Sequence, residues 1–218
     1  MISGKRRLLL SLLLPWWMVT ASASEPAVAS SSAQTLLAAL GQPAPAHTPF
    51  AEARFLKLLD RPLVVSGQLS WLGGDKLERR VDHPQRETAT IADGEVTQQR
   101  EGRHVRHFSL KRAPQLQVLL DSFVALLSGD AARLQQTFGI RQTGDARGAW
   151  TLTLVPRDPR VAKAVASIRI DGVRDQSRCM LMQEADGDLA VDLLGPLATR
   201  MPAEPTREAL QTLCQGMP

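Results

Sequence analysis

Two histidines three residues apart, His104 and His107 in RHVRH, are the chain's nearest approach to a metal-binding pair. Their surroundings alternate as in a strand, where positions three apart face opposite sides, so the two rings cannot easily share one ion. They read as surface or partly buried histidines. Glu184, Asp186 and Asp188 in EADGD begin like a calcium loop, but the remaining ligand positions are missing and Asp186-Gly187 is a hairpin signal. The loose candidates for nucleophilic chemistry are Ser66, Ser70 and His107, and none sits in a recognised setting. The chain lacks G-x-S-x-G, H-E-x-x-H, G-x-x-x-x-G-K and C-x-x-C. Its carboxylates are too scattered to nominate an acid and a base. No catalytic residue, metal site or cofactor is therefore expected, and binding is favoured over catalysis.

Charge and cysteines narrow the setting. Lys5, Arg6 and Arg7 precede an apolar stretch from Leu8 to Val19 that Ser11 and Pro15 interrupt, and Ala21-Ser22-Ala23 follows. This pattern predicts a secretory signal peptide over residues 1–23, too short and broken for a membrane anchor. Ala27-Val28-Ala29 offers a second cleavage site, and no cysteine at either site would carry a lipid. Of 26 Lys plus Arg and 22 Asp plus Glu, the signal removes three basic residues and no acidic one. The near-neutral remainder gives no reason to expect nucleic acid as partner. Cys179 and Cys214 form an even count in an exported chain, which favours one disulfide over two buried thiols.

The elements follow from periodicity. Ser31 and Gln34 suggest a capping box for a short helix through Leu40, and Pro43, Pro45 and Pro49 suggest a linker, so residues 24–49 read as a leader. From Phe50 the pattern alternates. PLVVSGQLSWLG sets Val65, Leu69 and Trp71 on one face with Gly67 between them, and KLERRVDH does the same with Leu77 and Val81. Asp93-Gly94 and Glu101-Gly102 then divide the chain into three more strands, the first holding Ile91. A helix is expected over Pro114–Leu127, whose only charge is Asp121, and a second short one from Asp130. Strands resume over 138–143, 150–155, 165–171, 173–183 and 189–194, before a terminal helix near Thr206–Leu213. Hairpin-length connections require an antiparallel sheet. The fold class is α+β: a curved antiparallel sheet, an incomplete β-barrel, with helices covering its concave face.

The helix in APQLQVLLDSFVALLSGD is oily for such a chain. Leu116, Leu119, Leu120, Phe123, Leu126 and Leu127 form one stripe, while the strands beneath contribute small side chains such as Ala89 and Ala92. Either the helix closes a small core, or it roofs a cavity. An acyl chain in such a cavity gains about 0.8 kcal/mol per methylene buried. The candidate lining is Val65, Leu69, Trp71, Leu77, Val81 and Ile91 from the first strands, Leu119, Phe123 and Leu127 from the helix, and Leu152, Leu154, Ile168 and Ile170 from the later strands.

FAEARFLKLLDRPLVVSGQLSW, DKLERRVDHPQRETATIADGEV, the helix ending LLSGD, WTLTLVPRD, and SIRIDG followed by EADGD together resemble a branch of the LolA-like outer-membrane lipoprotein carrier proteins, over roughly residues 50–194. The resemblance implies a periplasmic protein whose domain, taken as 50–218, shields acyl chains in an apolar cavity. It also implies a monomeric carrier that receives a lipoprotein or other acyl lipid from an inner-membrane transporter or exporter and passes it to an outer-membrane acceptor. An accessory protein that docks a lipid exporter without holding lipid is the alternative. Where better-known carriers have an Arg-Pro pair, with the arginine holding the helical lid, this chain has Gly73-Gly74. Neither Arg79 nor Arg80 can be given that role by resemblance.

Overall fold

The alternating segments pair into one antiparallel sheet of eleven strands in the computed structural model, which describes residues 27–216. The expected signal peptide lies outside the described residues. In chain order the strands are β1 (Ala46–Phe55), β2 (Leu63–Gly73), β3 (Lys76–His83), β4 (Glu87–Ala92), β5 (Glu95–Arg100), β6 (Arg106–Ser109), β7 (Phe138–Gly144), β8 (Ala149–Pro156), β9 (Val165–Val173), β10 (Gln176–Glu184) and β11 (Leu189–Leu194). They lie in the order β6-β5-β4-β3-β2-β1-β11-β10-β9-β8-β7. Every neighbour except the β1–β11 pair is a sequence neighbour, as hairpin-length turns demand. The two edges, β6 and β7, do not pair, so the sheet stays open.

The chain travels from one edge to the other through α2 (Pro114–Leu127) and α3 (Ala131–Thr137). Asp130 starts α3 by accepting the amide of Arg133 at 3.0 Å, which satisfies one of the donors that a helix start leaves free. Nothing comparable starts α2: its cap residue is Ala113, with no side-chain hydrogen bond, and Pro114 occupies the first turn. Helix α1 (Ala27–Leu40) and the short α4 (Pro159–Ala162) complete the group on this face. Their buried residues include Ala33, Leu36, Leu37, Leu134 and Val161, and they pack on Phe138, Trp150, Leu152, Leu154, Ile168 and Ile170.

The opposite face has its own core. Ala53, Val191 and Leu193 meet Leu197, from the 3₁₀ turn Gly195–Arg200, and Leu210 of α5 (Arg207–Cys214). The expected disulfide between Cys179 and Cys214 is present and closes a sequence separation of 35 residues. The terminal helix therefore departs from the expected placement of all helices on one face. Its apolar side follows Cys214 to the face on which Cys179 lies.

Two glycines mark close approaches. A Cβ at Gly67 would stand 1.9 Å from the carbonyl oxygen of Arg80, and one at Gly172 would stand 2.1 Å from Cζ2 of Trp150. That indole is fixed by a 2.7 Å hydrogen bond from its Nε1 to the Arg174 carbonyl.

The leader reads differently in the structure. Helix α1 already runs from Ala27, so Ser31 lies within it and not at its start. Pro49 lies within β1 opposite Gln68, so the linker shrinks to residues 41–45 and the boundary expected at 49/50 falls inside a strand. A proline is tolerated in a strand wherever no ladder bond calls on its nitrogen.

Candidate functional site

Strand register puts all ten strand candidates on the face that bears α1–α4. Ile170 pairs with Leu152 and Met180, Met180 with Asp192, Asp192 with Glu52, and Glu52 with Val65. From β2 onward, Trp71 pairs with Leu77 and Leu77 with Ile91, while Gly67 pairs with Val81 and Leu69 with Arg79. Directly opposed residues share a face, so Val65, Leu69, Trp71, Leu77, Val81 and Ile91 lie with Leu152, Leu154, Ile168 and Ile170.

The candidates nonetheless form two groups. Leu152, Leu154, Ile168 and Ile170 are buried beneath the helices, with Leu119 and Phe123 of α2 packed against them. Val65, Leu69, Trp71, Leu77, Val81 and Ile91 belong to a different stretch of the face and are not part of that cluster. Trp71 and Val81 are buried there and the other four are half-buried. Leu127, the last helical candidate, stands apart from both groups. It is half-buried without joining the cluster, its carbonyl accepts the amide of Gln42 at 2.9 Å, and Leu126 takes the inward position instead. The two differ by one residue, about 100° of helix.

Between the groups runs a charged band that the periodicity argument missed. Arg79 donates to Glu52 at 2.8 Å and lies over the Phe50 ring at 4.8 Å, while Arg54 bonds Glu184. Asp192, in the middle, is buried. Burial pushes its carboxyl up to about 8, the neighbouring Glu52 charge adds to the rise, and Arg79 and Arg54 oppose it. A signal was available: Glu52 and Arg54 alternate in phase with Phe50, and Asp192 interrupts the apolar run LAVDLL. Arg79 is thus occupied within the sheet and Arg80 pairs with Asp82 at 3.2 Å, so neither holds a helix.

Beneath α2 the apolar space is closed. A void of about 10 Å³ remains among Leu119, Ser122, Phe123, Leu126, Leu134, Phe138, Leu154 and Ile168. That is about the room of one water, whereas small-molecule sites occupy roughly 300–1,000 Å³. The expected open cavity is therefore absent at this place, because the α2 side chains reach the sheet. On the other side of Ser122 lies a polar cleft of about 300 Å³, lined by Val118, Asp121, Arg133, Gln136, Thr137, Asp158 and Arg160. Ser122 lines both spaces, its hydroxyl donating to the Val118 carbonyl at 2.7 Å. The cleft is electrically balanced: Arg133 faces Asp121 at 3.4 Å, and Arg160 hydrogen-bonds Asp158, holding that carboxyl down at about 2.

The chemical candidates resolve simply. Ser70 meets His47, not His107, at 2.9 Å, and no carboxylate bonds the His47 ring among the described residues. His107 instead meets Thr97 at 3.1 Å. Carboxylate oxygens of Glu184, Asp186 and Asp188 lie within 4.8 Å of one another. They are used inside the hairpin, where Arg54 bonds Glu184, Lys57 bonds the Asp186 carbonyl, and the Lys57 amide donates to Asp188 at 2.9 Å. No helix among the described residues is long and apolar enough to cross a membrane.

The family described as outer membrane lipoprotein carrier protein LolA-like matches residues 23–217. Curated proteins give no match to the chain. Among solved structures, a LolA superfamily protein from Nitrosomonas europaea is similar with 12% identity, TM-score 0.41, and coverage of 78% of this chain and 92% of that one. A putative outer membrane lipoprotein-sorting protein domain from Vibrio parahaemolyticus shares 9% identity, TM-score 0.39, over 84% of this chain and 99% of that one. The Pseudomonas aeruginosa MucA/MucB complex shares 18% identity, TM-score 0.37, over 87% of this chain and 63% of that one.

Proposed function

The chain belongs to the LolA-like outer-membrane lipoprotein carrier family, and from that premise we propose that it is a periplasmic carrier of acylated cargo, a lipoprotein or another lipid. Its tails would enter the slot beneath α2 by displacing that helix, and the polar end of the cargo would rest in the cleft beyond Ser122. The supporting observation is the pairing of a closed apolar slot with a weakly started lid: α2 lays Leu119, Phe123 and Leu126 on Leu134, Phe138, Leu154 and Ile168 without a side-chain cap. An inner-membrane transporter or exporter would load it and an outer-membrane acceptor would unload it.

The cost of moving α2 is the same for every guest, whereas the gain from burial grows with tail length. Binding of fluorescent fatty acyl probes should therefore tighten about fourfold per added methylene, from about 0.8 kcal/mol each. A flat series would overturn carriage. The closed slot also favours a second reading, an accessory protein that docks a lipid exporter without holding lipid. A flat series together with capture of the exporter by delipidated protein selects that reading.

A further inference from the structure

Strand β6 pairs on one side only, with β5, and forms one edge of the open sheet. The segment around it, REGRHVRHFSLKR over residues 100–112, holds five Lys or Arg against one acid, so the rest of 24–218 carries the compensating negative excess. Glu87 takes Arg100. Arg103, Arg106, Lys111 and Arg112 are exposed and make no ion pair among the described residues. Val105 and Phe108 stand among them, 46% and 42% exposed.

Positive charge on a sheet edge has an ordinary explanation, since it deters pairing with another chain. A bare phenylalanine and valine on the same edge undo that protection. Unpaired cations together with exposed apolar side chains are instead the composition that binds a membrane interface, the cations against phosphates and the apolar groups below them.

We propose that the β6 edge docks the protein on an anionic lipid surface, through Arg103, Arg106, Lys111 and Arg112, with Val105 and Phe108 entering the headgroup layer. The same segment runs through the 3₁₀ turn Leu110–Arg112 directly into Pro114, so docking sets the first turn of α2 beside the membrane. The inference goes beyond acyl carriage and does not depend on it.

The test is flotation of the purified protein with phosphatidylcholine vesicles, with and without phosphatidylglycerol. Binding should require phosphatidylglycerol and weaken as salt shortens the Debye length below about 10 Å. Each basic residue near such a surface contributes about fivefold in affinity, so Arg103→Gln with Arg106→Gln should lose about 25-fold. Phe108→Ser should weaken binding further at high salt, where the charges are screened. A control removing two cations elsewhere, Arg141→Gln with Arg174→Gln, should change binding less than about twofold, because both lie away from the β6 edge. Equal loss in the control would assign the effect to net charge and overturn the proposal. So would binding to phosphatidylcholine alone, no binding to either vesicle, or loss only on Leu58→Ser in the exposed β1–β2 loop. All substituted side chains are exposed, and an unchanged thermal unfolding midpoint and far-ultraviolet circular dichroism spectrum report the variants' folding.

Discussion

Replacing Asp192 by asparagine should flatten a pH dependence of stability that the native carboxyl imposes. In the unfolded chain this group titrates near 3.8, and in the folded chain near 8, because burial opposes its charge beside Glu52. Between those values the folded state holds one proton more than the unfolded state, so stability falls as pH rises. The contribution of the neutral carboxyl is whole below pH 3.8 and lost above about pH 8. One unit corresponds to roughly 1.4 kcal/mol, so the step from pH 5 to pH 8 should cost on the order of a few kcal/mol through this carboxyl and the Glu52 charge beside it. Asparagine is nearly the same size and carries no charge, so the variant should escape that loss and gain on the native protein toward alkaline pH. The assay is urea unfolding of both proteins at the two pH values with the disulfide intact. Taking the difference between them cancels the titrating groups that do not interact with Asp192. A gap that is the same at both values, or that widens in favour of the native protein at pH 8, would show that Asp192 is ionised in the fold and refute the reasoning.

The other predictions concern the sheet. Gly67→Ala should destabilise severely, by about 3 kcal/mol or more, since the new methyl meets backbone at Arg80 that has no room to yield; a shift of the thermal midpoint by only a degree or two would contradict this. Reducing the Cys179–Cys214 bond should cost about 4 kcal/mol, the loop-closure value for its 35-residue separation. Because Leu210 sits in the same small core, the loss should appear first as faster amide exchange in α5.

Most of the sheet is legible because strands such as β2, β3 and β8 alternate polar and apolar residues between hairpin turns. The 114–127 helix was equally plain, with Pro114 opening its apolar stripe. Pro49 was misleading because proline marks a break in sequence but only a missing donor in structure, and β1 can spare that donor. Leu126 and Leu127 are not ranked by the sequence, because six large apolar residues around the helix leave the direction of the stripe uncertain by one position, and only the folded chain brings Leu126 to the space shared with Phe138 and Leu154. The charged band was not found because each of its members, taken singly, looks like a solvent-facing charge. It becomes a unit only when β1, β10 and β11 are brought side by side. Nor could a sequence reveal whether the space beneath the helix is filled, since that depends on volumes meeting across elements that are distant in the chain.

The distribution of restraints bears on how a closed slot could still admit a guest. The sheet is held on its far side by the disulfide and the Leu193–Leu210 core, and across its middle by the Arg79–Glu52 and Arg54–Glu184 pairs. Helix α3 has its Asp130 cap and α4 its Asp158 cap, whereas α2 has neither a capping side chain nor an acidic first turn. Local opening takes elements with few such restraints, and of these three helices α2, which has the fewest, carries three of the slot's seven apolar lining residues. A tail entering between α2 and the sheet would replace contacts of Leu119, Phe123 and Leu126 with equivalent contacts to itself, so the apolar burial lost on lifting the helix is largely recovered. The net requirement is then the disruption of the α2 interfaces with α1, α3 and α4, including the hydrogen bond from the Gln42 amide to the Leu127 carbonyl and the exposed Arg133–Asp121 pair, of which the latter is worth at most about 1 kcal/mol. Under the proposed acyl carriage, closure without a guest and opening with one would thus be compatible in the same helix, provided the strands beneath it do not move.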